Sequence, residues 1–256
     1  MNVFDSNALK GRSFVVTGAS SGIGRAVAIG LAELGGSIVA CGRDKDRLML
    51  TLENLQGDGH TCSIGDMSSA DDACDMLKAI RKTHDIGFDG VFHSAGTASI
   101  RPARLTKTEH LEEILGASFF GAMGLARAAA GRGFFKPEGG SIAFMSSVAG
   151  KRGQVGMSAY GASRAAISGL VKNLACEMAP QNIRVNSIVS GGVETEMHAQ
   201  ISRGMDSASL AEYEAKHLLG FGNAESISNA AVFLMSDAST WITGTDLLVD
   251  GGFMAK

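Results

Sequence analysis

The chain has 256 residues, of which 45% are hydrophobic and 19% are charged, and its formal net charge is −3. This composition is typical of one globular domain with a buried core, and no apolar run is long enough to span a bilayer. Basic residues are scattered along the chain, which excludes an obvious nucleic-acid surface. The first residues lack the basic and apolar segments of an export signal, so we expect a cytoplasmic protein.

Short apolar runs alternate with longer helical patterns, which is typical of a parallel sheet with crossover helices. The predicted strands are Ser13–Thr17, Ser37–Cys41, His60–Ile64, Gly90–His93, Ser141–Ser146, Arg184–Ile188 and Asp246–Val249. The predicted helices lie near Ile23–Leu34, Lys45–Gln56, Ala70–His84, Thr108–Gly131, Ala159–Met178 and Ser226–Met235. We therefore predict an α/β fold, with one doubly wound parallel sheet and helices on both faces, in a single domain over residues 1–256.

The first strand and helix are joined by a glycine-rich turn, FVVTGASSGIG. Gly18, Gly22 and Gly24 allow a tight turn and a close approach of the backbone to phosphate. Free N–H groups at the start of the next helix favour an anion, so the turn predicts a site for the pyrophosphate of a dinucleotide. The same letters also read as G-x-S-x-G, the nucleophile elbow of a hydrolase. That alternative is disfavoured because such an elbow follows several earlier strands.

The end of the second strand bears on the choice between the two nicotinamide cofactors. An acidic side chain there binds the ribose 2′-OH of NAD, but this chain has Gly42 followed by Arg43. Replacing the usual acidic residue by glycine and adding a guanidinium suits a 2′-phosphate, so we favour NADP(H) over NAD(H). Alternatively, Arg43 is a solvated residue beside the next helix, with Asp44 as the helix N-cap.

The cysteines and histidines predict neither a metal site nor a disulfide. The four cysteines show no C-x-x-C or zinc-ligand spacing, so we expect buried, reduced thiols. The six histidines also lack the mutual spacing of metal ligands.

Motifs in the rest of the chain carry a resemblance to a known family. Asp66 follows the third strand, SAG stands at Ser94–Gly96, Ser147 and Tyr160 follow, and TGTDLLVDGG lies near the C-terminus. Together with TGASSGIG, these motifs resemble the short-chain dehydrogenase/reductases almost end to end. The resemblance implies a Rossmann-like sheet of about seven strands, a nicotinamide cofactor and a homotetramer or homodimer. It also places Asp66 at the adenine, although Asp66 alone also fits a helix N-cap.

The predicted cofactor-binding residues follow from the glycine turn and the resemblance together. They are Gly18, Ser20, Ser21, Gly22, Ile23, Gly24, Arg43, Asp66, Met67, Ser94, Ala95, Gly96, Tyr160, Arg164, Gly191, Val193 and Thr195.

Tyr160 is the predicted acid/base. Reduction of a ketone by hydride leaves an alkoxide that needs a proton, so a donor must lie within hydrogen-bond reach of the carbonyl oxygen. Arg164 follows Tyr160 by one helical turn on the same face, where a fixed cation favours the phenolate. Ser147, just past a strand, is predicted to hydrogen-bond the same carbonyl and hold it in place.

The sequence departs from the family at two of its predicted catalytic positions. The usual motif Y-x-x-x-K reads YGASR here, with Arg164 in the place of lysine, and Ser118 aligns with the usual asparagine of the preceding long helix. The resemblance implies that lysine and asparagine hold a water chain that returns a proton to the tyrosine. Arginine keeps the charge but is effectively never deprotonated, so this relay is the altered step. Ser118 either binds a water itself or lies one residue from the true position. A smaller departure is Ser190, which replaces the usual proline before Gly191 and predicts a more mobile loop.

The irregular segment over residues 191–222 is the predicted substrate lid. It includes Met197, His198, Met205, Tyr213 and His217. Arg101, Arg104, Lys151 and Arg152 either bind an anionic substrate or are solvated loop charges. The leading hypothesis is an NADP(H)-dependent oxidoreductase acting on a carbonyl/secondary-alcohol pair, with 3-oxoacyl thioesters and sugars or polyols both open as substrates. The alternative is a cofactor-binding sensor or scaffold with little catalysis.

Overall fold

A computed structural model describes residues 4–84, 87–203 and 206–256. Seven parallel strands form the central sheet in the order β3-β2-β1-β4-β5-β6-β7. The strands are β1 Ser13–Thr17, β2 Ser37–Gly42, β3 Thr61–Ile64, β4 Gly90–His93, β5 Gly140–Ser147, β6 Ile183–Ser190 and β7 Asp246–Val249. The predicted doubly wound α/β fold is confirmed.

Helices cover both faces of the sheet, because its strands are apolar on both sides. They are α1 Gly22–Glu33, α2 Lys45–Leu52, α3 Ala70–Lys82, α4 Thr108–Leu115, α5 Gly121–Ala129, α6 Ser158–Met178, α7 Glu196–Ser202, α8 Ser207–Ala215 and α9 Ala224–Met235. One core layer packs α3, α5 and α6 against the sheet, and the other packs α1 and α9. The strand order reverses between β1 and β4, so a crevice opens beyond their carboxyl ends.

The predicted long helix over Thr108–Gly131 is interrupted. It consists of α4, a π-helical turn over Gly116–Phe120, and α5, which ends at Ala129. A π turn widens the helix by one residue and frequently marks a functional site. Other element boundaries shift by a few residues, and α2 ends at Leu52 rather than Gln56.

The segment predicted as irregular after the sixth strand carries regular structure. Val193–Glu194 pairs with Gly222–Asn223 in a short parallel ladder, and α7 and α8 lie between them. Neither helix buries a residue, so neither has the apolar stripe that reveals a helix in sequence. Met205, predicted to belong to this lid, lies outside the described residues.

The cysteines are only partly as predicted. All four are free, but only Cys41 and Cys74 are buried, while Cys62 is half-buried and Cys176 is exposed. Within the described ranges, no three His, Cys, Asp or Glu side chains lie close enough together to hold a metal ion. None of the helices in those ranges is both long and apolar enough to cross a membrane.

Candidate active site

A glycine cradle lies at the crevice between β1 and β4. Gly18 has φ +67°, and a Cβ there would lie 2.8 Å from Ser94 Oγ. A Cβ on Gly24 would lie only 2.2 Å from the carbonyl oxygen of Gly18. Ser94 Oγ donates to the carbonyl oxygen of Thr17 at 2.8 Å, which ties β4 to the start of the turn. Glycine at these positions therefore lets the turn close on itself and pack against the end of β4.

The N-terminus of α1 is open to an anion. Ser21 is its N-cap, but no side chain caps the helix and no acidic residue lies in its first turn. The guanidinium of Arg25 donates to the carbonyl oxygen of Ser20 at 2.5 Å, which fixes the turn from behind. The first N–H groups of α1 are thus without a side-chain partner, as a phosphate site requires.

Arg43 and Asp66 face each other at the ends of β2 and β3. Burial would raise the pKa of Asp66, but hydrogen bonds from Ser68 and the charge of Arg43 outweigh it and lower that pKa. The interpretation of Asp66 as a helix N-cap is wrong, because Ser69 caps α3 through the backbone N–H of Asp72. Asp44 does cap α2, as the alternative for Arg43 supposed.

Ser147 and Tyr160 are brought together by close packing between β5 and α6. Ser147 is the last residue of β5, rather than just beyond it, and its hydroxyl accepts from the backbone N–H of Ala149 at 3.2 Å. A Cβ on Gly161 would lie 2.6 Å from Ala149 O, so this glycine lets the first turn of α6 sit against the end of β5. Tyr160, in that same turn, is half-buried and faces the crevice.

Arg164 is only 5% exposed and is held rigidly. Its Nη1 donates to Met145 O at 3.1 Å, and its backbone carbonyl accepts from Ser146 Oγ at 3.0 Å. Its guanidinium carbon lies 5.0 Å from the centroid of the Tyr160 ring. The buried Nε has no hydrogen-bond partner among the residues that the structure describes, so one donor at the base of the crevice is left for a ligand or water.

Ser118 lies in the π turn and is 1% exposed. Its hydroxyl donates to Ile114 O at 2.6 Å, and it does not line the crevice, whereas Ala117 does. The turn is held from beneath by His93, whose Nε2 lies 3.0 Å from Ala117 O and 3.3 Å from Ser118 O. Burial lowers the pKa of His93 to about 4, which keeps the ring neutral.

The loop after β6 closes the far side of the crevice. Ser190 is the last residue of β6 and is buried, so it belongs to the strand rather than the loop. Thr195 packs beside Gly22, where a Cβ on the glycine would lie 3.5 Å from the threonine side chain. The Thr195 hydroxyl also accepts from His198 N at 3.2 Å and caps α7. The lid therefore starts directly over the glycine cradle.

One crevice of about 1270 Å³ joins these parts. Every predicted cofactor-binding residue lines it, and so does Ser147. The apolar side chains at its substrate end are Ile100, Val155, Met157, Met197, Tyr213 and Phe253, and the polar or charged Arg152, Gln154, Glu212 and Lys216 also line it.

The charges near the substrate end are largely engaged within the protein. Lys151 pairs with Asp246, and Arg152 donates to Phe253 O and Lys256 O. Tyr213 lies close to Tyr160, and its pKa is raised first by burial and then by the charge on Tyr160. Two of the four cations considered for an anionic substrate therefore have partners, while Arg101 and Arg104 are exposed.

Comparison with known proteins shows which family this chain belongs to. A family model described as enoyl-(acyl carrier protein) reductase matches residues 18–254. A tropinone reductase homologue of Arabidopsis thaliana is 34% identical over 95% of this chain and 91% of its own length. The 3-oxoacyl-[acyl-carrier-protein] reductase of Aquifex aeolicus is 30% identical over 95% of this chain and 98% of its own. The chain belongs to the short-chain dehydrogenase/reductases.

A solved member of the family superposes closely. A Beutenbergia cavernae protein, described as an NAD(P)-dependent gluconate 5-dehydrogenase and solved with NADP at low occupancy, has a TM-score of 0.87 and 30% identity. The match covers 98% of this chain and all of the other. The family binds nicotinamide cofactors, and the glycine cradle, the open end of α1 and the orphaned Arg164 Nε all fit such a group.

Three residues of this short-chain dehydrogenase/reductase were missed or underrated from sequence. Arg47 of α2 forms an ion pair with Glu196 of α7, and both line the crevice. His93 supports the π turn. Arg47 and Glu196 are 149 positions apart, and His93 and Ser118 are 25 positions apart. No local sequence pattern therefore reveals these contacts.

Proposed function

We propose that this protein interconverts a carbonyl compound and a secondary alcohol with NADP(H) as its cofactor. The observation that carries the proposal is the single crevice that joins the glycine cradle to Ser147, Tyr160 and Arg164. When bound, the nicotinamide supplies or accepts the hydride. The chain's own residues bind the cofactor, orient the carbonyl group and move the proton.

Cofactor binding is assigned to three parts of the crevice. The cradle Gly18–Gly24 and the N-terminus of α1 hold the pyrophosphate. Asp66 and Met67 lie at the adenine end. The turn Ser94–Gly96, together with Gly191–Thr195, encloses the nicotinamide end.

Tyr160 donates the proton to the carbonyl oxygen, and Ser147 donates a second hydrogen bond that holds this oxygen in place. Arg164 places a fixed positive charge against the Tyr160 ring and presents its free Nε to the cofactor ribose or a water. Ser118 passes a proton only after its hydroxyl leaves Ile114 O, because that bond occupies its donor. Proton return to Tyr160 is therefore the step that these two residues slow.

The preference for NADP(H) rests on Arg43. It is exposed on the crevice wall beside Gly42, and the carboxylate that would repel a 2′-phosphate is missing from that strand end. NADP in the related Beutenbergia structure is consistent with this preference.

The substrate is proposed to be an uncharged carbonyl compound or alcohol. Apolar side chains line much of the crevice beside Tyr160, and its nearby cations have partners, since Lys151 pairs with Asp246, Arg152 contacts the C-terminus and Lys216 pairs with Glu212. Relatives named for tropinone, 3-oxoacyl-carrier-protein and gluconate chemistry are consistent with a carbonyl or alcohol substrate.

The cofactor preference is tested by titrating NADPH and NADH into the wild type, Arg43→Ala and Lys45→Ala. We expect the wild type to bind NADPH more tightly, and Arg43→Ala to lose roughly 10- to 100-fold of that affinity, the value of a charge-assisted hydrogen bond. Lys45 is exposed nearby but does not line the crevice, so its removal controls for net charge. Equal affinity of the wild type for NADPH and NADH would contradict the proposed preference for NADP(H).

The reaction is tested by following NADPH absorbance with a panel of ketones. We expect Tyr160→Phe still to bind NADPH and to lose roughly 100- to 10,000-fold in kcat, the range for a general acid. Tight NADPH binding by the wild type without turnover on any ketone would instead favour the sensor or scaffold.

A further inference from the structure

The backbone of the loop Gly191–Val193 is fixed at three points. Gly191 N donates to Val249 O at 3.2 Å, and Gly222 N donates to Gly192 O at 2.9 Å. The third bond is from a side chain, because Gly192 N donates to His217 Nε2 at 2.8 Å. His217 thus holds an amide of the loop from the far end of the lid.

The His217 ring is held in one orientation and one tautomer. It is 4% exposed, and its Nδ1 lies 3.1 Å from Tyr213 O. Since Nε2 accepts from an N–H and Nδ1 faces a carbonyl, the ring proton is on Nδ1. Phe253 and Phe221 enclose the ring at centroid distances of 4.8 and 5.1 Å.

The Gly192 backbone packs closely against the Phe221 ring. A Cβ on Gly192 would lie 2.5 Å from the Phe221 ring, so backbone and ring are already in close contact. A buried amide without an acceptor is costly, and rotation of its peptide is the available escape. That rotation would displace Val193 and Thr195, which follow directly.

We propose that His217 is a positioning residue that holds Gly191–Thr195 in the shape required by the nicotinamide half of the cofactor. This inference rests on the proposed function, which assigns that loop to the nicotinamide. His217 does not act on the adenine end of the cofactor, because Arg43 and Asp66 lie on other elements.

The test compares two ligands and two substitutions by calorimetry. NADPH contains the nicotinamide, whereas 2′,5′-ADP contains only the adenosine end. His217→Phe keeps the aromatic packing but removes the acceptor, and His217→Gln keeps an acceptor. We expect His217→Phe to weaken NADPH binding about tenfold, the effect of one unsatisfied buried amide, with 2′,5′-ADP binding unchanged. His217→Gln should restore most of the loss.

His60 offers a matched control. Its Nδ1 accepts from Ile38 N at 3.2 Å and its Nε2 lies 2.9 Å from Gln56 O, the same kinds of partner far from the loop. His60→Phe should lower the melting temperature without changing the ratio of the NADPH and 2′,5′-ADP affinities. In turnover assays, His217→Phe should raise the KM for NADPH and lower kcat.

The outcomes separate the inference from the proposed function. A folded His217→Phe protein with the wild-type affinity ratio overturns the inference and leaves the function intact. Wild-type protein that binds neither NADPH nor 2′,5′-ADP overturns both. If His217→Phe does not fold, His217→Met against His217→Gln makes the same comparison, since a thioether is a poor acceptor.

Discussion

The guanidinium of Arg164 lies over the face of the Tyr160 ring, with its carbon 5.0 Å from the ring centroid. The cation therefore contacts the π face of the tyrosine, and its Nη1 is committed to Met145 O. A guanidinium in this position orients the ring and stabilises negative charge, but it does not release a proton. The binding of the cofactor and the return of a proton to Tyr160 are thus separate properties of this site.

Substitution of Arg164 by lysine tests that separation. We expect Arg164→Lys to change NADPH affinity by only a few-fold, because the charge is kept, and to raise turnover, because an ammonium exchanges protons. Steady-state kinetics in H₂O and D₂O measure both effects, and the solvent isotope effect should fall. Arg164→Gln, which loses the charge, is the control and should lower NADPH affinity. Unchanged turnover in Arg164→Lys would mean that proton return does not limit the reaction.

The parts of the site that could be predicted from the sequence are those formed by residues close together in the chain. Gly18 is required by its own positive φ of +67° and Gly24 by its contact with Gly18 O in the same turn, and Ser147 and Tyr160 lie on a strand and a helix that follow one another. Their packing depends on Gly161, whose absent side chain makes room for Ala149 O.

Other features of the site could not be predicted, because they depend on tertiary contacts or leave only a weak pattern in the sequence. The π turn at Ser118 is supported by His93, which lies on a different element, so the sequence of the helix alone predicts an unbroken helix. The lid helices bury none of their residues, and without an apolar stripe they resemble a loop. The residue type of Asp66 fits a helix cap, but Ser69 stands at the start of α3.

Trp241 provides a test of the predicted homo-oligomer. It is the only tryptophan in the chain and is 99% exposed, and Leu248 of the edge strand β7 is 50% exposed. Apolar side chains so exposed often mark an interface. We expect tryptophan emission at high protein concentration to be blue-shifted, and to shift towards that of free tryptophan on dilution. Light scattering should show that Trp241→Arg dissociates the assembly. A water-like emission from an assembled protein would place the interface elsewhere.

The ion pair between Arg47 and Glu196 connects α2 to the lid. Because Thr195 packs beside Gly22, this pair lies close to the glycine cradle and closes the crevice on one side. We expect Glu196→Gln to speed NADPH dissociation several-fold, and high salt to do the same in the wild type, since exposed pairs are screened.

Stopped-flow displacement of NADPH measures this rate. Arg127→Gln is a matched control, because Arg127 pairs with Asp71 at 2.7 Å on helices away from the crevice. A dissociation rate that Glu196→Gln leaves unchanged would show that the pair does not restrain the lid.

His93 gives the fold a defined dependence on pH. Burial lowers its pKa to about 4 in the folded protein, whereas an unfolded histidine titrates near pH ~6.5. Between these values the unfolded chain binds a proton that the folded chain does not. Stability is therefore complete above pH ~6.5 and falls as the pH drops, by about 3 kcal/mol at pH ~4.

Urea denaturation of the wild type and His93→Gln at pH 7.5 and pH 5 measures this term. Glutamine does not titrate, so we expect the wild type's advantage in unfolding free energy to shrink by roughly 2 kcal/mol between the two conditions. Ser141→Ala removes a buried hydroxyl that donates to Leu234 O at 2.7 Å and should cost the same at both pH values. If the difference in unfolding free energy between the wild type and His93→Gln is the same at both pH values, His93 has its ordinary pKa in the folded protein. The ring that supports the π turn would then be protonated at no cost in stability.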